Sequence, residues 1–88
     1  MPFTETVEFL ARLQKLNRIH IPVKVRGHYK LETGELLKVG IQPFDRLRYE
    51  GFFAKLLRGG RITVPWEVVR TLNLNKPGCM IRVALNPK

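Results

Sequence analysis

Serine is absent from this 88-residue chain, so no serine nucleophile is available. Cysteine occurs once, at Cys79, which excludes an internal disulfide and with it a secreted disulfide scaffold. No apolar run approaches the roughly 18 residues that a membrane-crossing helix needs. The opening, MPFTETVEFL, carries Glu5 and Glu8 and lacks the basic stretch of a signal peptide. A cytoplasmic protein with no membrane partner is the expectation. Acidic residues are scarce: seven Asp and Glu face sixteen Lys and Arg, for a net charge of +9. Such an excess on a small domain attracts polyanions, of which nucleic acid is the commonest. Structured RNA and anionic membranes share that attraction, so charge alone does not choose among them.

Catalytic and metal-binding patterns are missing too. Gly59-Gly60 is not followed by the Lys-Ser/Thr pair of a phosphate loop. The two histidines, His20 and His28, and the lone Cys79 have no C-x-x-C or H-x-x-x-H spacing, and a Cys79–His20 pair has no motif behind it. The residues therefore predict a binding protein and not an enzyme, with no cofactor, no metal and no small-molecule substrate.

What the chain does contain is a repeat. Residues 9–26, FLARLQKLNRIHIPVKVR, align with residues 52–69, FFAKLLRGGRITVPWEVV, at a constant offset of 43. Phe9 falls on Phe52, Ala11 on Ala54, Leu13 on Leu56, Arg18 on Arg61, Ile19 on Ile62, Pro22 on Pro65 and Val25 on Val68. Arg12/Lys55, Lys15/Arg58 and Ile21/Val64 are close substitutions, and Gly34 matches Gly78 after one inserted residue. Repeat one spans about 5–42 and repeat two about 46–86, joined by QPFDR at 42–46. At about 40 residues each copy is near the limit of independent folding. The two are therefore expected to share one core as a single domain over 1–88.

Periodicity gives each copy a strand, a turn, a short strand, a helix and a final strand. Val7, Phe9, Ala11 and Leu13 alternate with polar residues, while Leu10 breaks the alternation and predicts a second, partly buried face. The turns Lys15-Leu16-Asn17 and Arg58-Gly59-Gly60 put Asn17 and Gly60, types that accept positive φ, at one place. Ile19 and Ile21 then face one way, and Arg18 and His20 the other. Pro22 and Pro65 end these strands and open helices. WEVVRTLNL puts Val68, Val69 and Leu72 on one helical face, whereas Gly27 predicts a shorter or irregular first helix. Thr33-Gly34 and Lys76-Pro77-Gly78 are turn signals into the last strands. Phe9, Phe52 and Trp66 stand at apolar repeat positions and read as core or partly buried, and Cys79 as a buried strand residue; stacking of aromatic rings on exposed bases is the rival reading.

Gly60-Arg61-Ile62-Thr63-Val64-Pro65, with Glu67, Arg70, Leu72 and then Lys76-Pro77-Gly78, resembles the signature of the AbrB/SpoVT family. Asn17-Arg18-Ile19-His20-Ile21-Pro22 resembles it with Asn for Gly and without the Lys-Pro before Gly34. The resemblance implies a β-rich α+β fold: a swapped-hairpin AbrB-like barrel, built here as an intrachain pseudo-dimer of two β-hairpin–helix–strand repeats. Relatives of the MraZ kind carry two units per chain, and MazE-like relatives are antitoxins. Members commonly regulate transcription by binding duplex DNA through basic residues on the first strand, the turn and the G-R position. Where the family often has an acidic residue before the Gly, this chain has Gln14 and Leu57, so its turns are more basic.

The expected DNA-binding set is Arg12, Lys15, Arg18, Lys24, Arg26, Lys55, Arg58, Arg61 and Arg70. A guanidinium fork suits phosphate oxygens and guanine; alternatively Arg18 and Arg61 pin their own turns by bonding backbone carbonyls. Symmetric recurrence predicts that Arg12, Lys15, Arg18, Lys55, Arg58 and Arg61 share one surface. Rival roles are an antitoxin-like module for a protein partner, a non-specific architectural protein and an RNA binder. The first is disfavoured by the two residues left after the last strand. The pseudo-dimer acts as a monomer or pairs further.

Overall fold

The computed structural model describes residues 5–45, 47–74 and 78–87. Six strands and two short helices follow one another: β1 (Val7–Arg12), β2 (Arg18–His20), α1 (Val23–His28), β3 (Leu36–Pro43), β4 (Glu50–Lys55), β5 (Arg61–Thr63), α2 (Trp66–Thr71) and β6 (Met80–Asn86). They form an α+β fold with a four-stranded sheet, ordered β1-β6-β3-β4, and a two-stranded sheet of β2 and β5. Single bridges, Gln14 to Arg18 and Leu57 to Arg61, tie the two sheets together.

Every ladder joins one repeat to the other, and the registers are symmetric. Arg12 pairs with Met80 as Lys55 pairs with Leu36, and Phe9 with Val83 as Phe52 with Val39. Gly40 pairs with Ala84, and Ile19 with Ile62. Each member of these two pairs is the other's repeat equivalent, so both pairs lie on the internal twofold relation. Connecting hydrogen bonds repeat as well: Ile21 N–H to Gly60 at 2.8 Å matches Val64 N–H to Asn17 at 2.7 Å. An alignment offset in the sequence thus becomes a spatial symmetry in the backbone.

Within a copy the two arms touch at a single antiparallel bridge. Strands β1 and β2 meet only at the Gln14–Arg18 bridge, because β2 is three residues long and its ladder partner is β5. Pairing between copies replaces pairing within a copy.

Alternation fills one core from both repeats. Leu13, Ile19, Ile21, Leu37, Val39 and Ile41 meet Leu56, Ile62, Val64, Ile81, Val83 and Leu85, all buried. Phe9, Phe52 and Cys79 are half-buried against this core; Cys79 precedes β6 and is not enclosed within a strand. Leu10 and its equivalent Phe53 point out of the sheet, so the expected second buried face of β1 is absent. The reason is parity: both alternate with core-facing Phe9 and Phe52 and so lie on the solvent side of the sheet.

Proline opens both helices as expected, with φ of −55° at Pro22 and −59° at Pro65. The helices are equal, six residues each and in repeat register, so Gly27 does not shorten the first. It stands exposed, a Cβ placed there would meet nothing within 4 Å, and it costs only local propensity. What differs is burial: α2 sinks Val68 and Val69 into the core, whereas α1 has no buried residue. The turn expected at Lys76-Pro77 lies outside the described residues, and so does Arg46 of the linker.

Candidate nucleic-acid interface

The two-stranded ladder presents a cationic outer face. Ile19 and Ile62 turn inward with 0% exposure, so the residues alternating with them, Arg18, His20, Arg61 and Thr63, turn outward. Arg18 stands beside Thr63 and Arg61 beside His20. The two arginines are therefore diagonal neighbours, with Cα atoms about 7–8 Å apart. The turns abut the ladder ends through the Asn17 and Gly60 carbonyls, bringing Lys15 to one end and Arg58 to the other. No acidic residue lies between Glu8 and Glu32 or between Glu50 and Glu67, so these segments hold nine cations without a compensating charge of their own.

Neither arginine pins its turn. Among the described residues no carboxylate pairs with Arg18 or Arg61, and neither side chain bonds a carbonyl. The Arg18 Nε is buried without a hydrogen-bond partner there. An Arg61 terminal nitrogen lies along the Gly59 turn, 3.3 Å from where a Cβ would stand.

The other expected contacts lie on β1, β4 and the two helices. Arg12 and Lys55 project from the edge strands of the four-stranded sheet, and Arg12 donates to the Gly78 carbonyl at 3.3 Å. Of the six basic groups, Lys15, Arg18, Arg58 and Arg61 belong to the β2–β5 ladder and its turns, and Arg12 and Lys55 close β1 and β4, two residues before the bridges to that ladder. Arg26 is half-buried on α1, donates from Nε to the Ile21 carbonyl at 3.1 Å and covers Gly60. Lys24 and Arg70 are exposed on α1 and α2.

His20 belongs to the cationic face, although its residue type alone suggests only a possible ligand; its alternation with Arg18 is the signal that places it. Trp66 corrects another expectation. It is 63% exposed, because it opens α2 on the side away from Val68 and Val69. Among the described residues no three His, Cys, Asp or Glu side chains come together, and no helix is long and apolar enough to cross a membrane.

No protein-family model matches the chain, and no curated protein matches it in sequence. Among solved structures it is similar to the solution structure of PHS018 from Pyrococcus horikoshii, at 26% identity, covering 91% of this chain and 88% of that one with a TM-score of 0.76. The likeness takes in nearly all of both chains.

Proposed function

We propose that this chain binds duplex DNA as a regulator of the AbrB type, a swapped-hairpin barrel in which two fused units do the work of a dimer. The binding surface is the outer face of the β2–β5 ladder with its two turns. One observation carries the reading: Arg18 and Arg61 leave the same face of one ladder, related by the internal twofold, with no acidic partner among the described residues. A twofold protein surface matches the local dyad of a duplex. Four symmetric cations, Lys15, Arg18, Arg58 and Arg61, give phosphate contacts that position the protein without reading sequence. His20 and Thr63, between the arginines, are the groups placed to add short-range contacts. No catalytic step is part of this function, and the compartment it implies is the cytoplasm. The test is duplex affinity, by anisotropy, of the Arg18→Ala/Arg61→Ala protein against the unaltered chain. Structured RNA at matched salt separates DNA from RNA.

A further inference from the structure

Between the Lys15–Asn17 turn and α2 the symmetry fails, and the failure makes a cleft. In one half the Arg26 guanidinium lies over Gly60 and fills the space between helix and turn. The equivalent residues in the other half are Val69 and Asn17, and there the space is open. A cleft of about 450 Å³ runs between the Lys15–Asn17 turn and α2, with Leu16, Trp66 and Arg70 among its walls. That volume falls in the range of about 300–1,000 Å³ typical of small-ligand sites.

Its lining is not what solvent exposure alone would select. Trp66 is 63% exposed, and its equivalent in the first repeat is Val23. Arg70 stands where the first repeat has Gly27. Leu16 is 73% exposed and holds φ of 63°, where the second repeat uses Gly59. A left-handed leucine costs about 1–2 kcal/mol and here recovers nothing by core burial. Lys15 and Arg70 form no ion pair among the described residues. An indole face, an apolar lip and two cations converge on one opening.

We propose that this cleft binds a nucleoside phosphate, its base stacked on Trp66 and packed against Leu16, its phosphate held by Lys15 and Arg70. Stacking accepts any base, and the cations require an anion attached to it. The ligand is either a free mononucleotide or an unpaired nucleotide within a strand. With Arg26 occupying the related position, each chain has one such site. This inference goes beyond the duplex reading and uses different residues, Lys15 excepted.

Trp66 is the only tryptophan, so its fluorescence reports the cleft directly. The full chain is titrated with adenosine monophosphate, adenosine, inorganic phosphate and a short oligodeoxyadenylate. Adenosine monophosphate quenches saturably at one site per chain, adenosine binds about tenfold more weakly, and phosphate alone does not quench. Lys15→Gln with Arg70→Gln weakens adenosine monophosphate by about tenfold or more. Trp66→Leu abolishes binding by calorimetry. Equal affinity for the mononucleotide and, per nucleotide, the strand identifies the free nucleotide as sufficient; saturation by the strand alone identifies an unpaired nucleotide. Arg18→Ala/Arg61→Ala leaves these affinities unchanged, so failure of the duplex reading is distinguishable. Absence of quenching by both nucleotide probes, or undiminished binding in the Trp66→Leu chain by calorimetry, overturns the proposal.

Discussion

Arg26 of the first repeat lies directly over Gly60 of the second, so close that a Cβ on Gly60 would overlap the guanidinium. Gly60 also holds φ of +79°, which an L side chain rarely adopts. Two separate penalties therefore act at one position. Gly60→Ala lowers stability in urea denaturation by about 2–3 kcal/mol in the unaltered chain. In an Arg26→Ala background the same change costs only the backbone part, about 1–2 kcal/mol. Equal losses in both backgrounds would show that Arg26 does not press on the turn.

Leu16 offers the opposite change. Its φ of 63° is strained and its side chain is largely exposed, so Leu16→Gly relieves strain without opening a cavity. Glycine also enlarges the entropy of the unfolded chain, which returns part of the gain. A net stabilisation of about 0.5–1 kcal/mol is expected from urea or thermal melts. The same variant binds adenosine monophosphate less tightly, since the lip of the cleft is gone; destabilisation would contradict the assignment of strain.

Ile19 and Ile62 face each other on the internal twofold with no exposure to solvent. Truncating either to Ala removes buried atoms from the centre of the shared core, at about 2–5 kcal/mol. Because both belong to one cooperative unit, the two losses agree to within about 1 kcal/mol and each protein unfolds in one transition. Two transitions, or one tolerant site, would mean that the repeats fold separately.

Much of this architecture is legible in the residues. The 43-residue offset, Pro22 with Pro65 and the alternation about Ile19 and Ile62 locate the elements, because strand period and proline geometry act locally. The ladder partners are not legible, since partner choice depends on what the other copy offers, and β2 lies beside β5. Trp66 shows a second limit. An apolar residue just after a helix-opening proline looks the same in sequence whether it faces the core or solvent, and only the burial of Val68 and Val69 decides it. Arg12 and Lys55 match Arg18 and Arg61 in charge and recurrence, yet they belong to the four-stranded sheet and not to the β2–β5 ladder, which the sequence alone does not distinguish. The open cleft is hidden because Arg26 against Val69 reads as one mismatch in an alignment, while its meaning lies in the Gly60 and Asn17 turns opposite.

The position of the basic groups also ranks them for duplex binding. Lys55→Gln, on an edge strand of the larger sheet, lowers duplex affinity by less than about twofold in anisotropy titrations. Arg58→Gln, at the ladder's end, lowers it by about threefold to tenfold. A larger effect at Lys55 than at Arg58 would move the interface to the four-stranded sheet.

The most direct measurement follows duplex affinity against salt for the unaltered chain and for Arg18→Ala/Arg61→Ala. Four phosphate contacts predict a slope of log K on log salt of about −3.6 for the former, reduced by about 2 in the latter. Affinity at physiological salt should fall by about tenfold or more. An unchanged slope, with affinity within about twofold, would contradict a DNA-binding role for the face that Arg18 and Arg61 share.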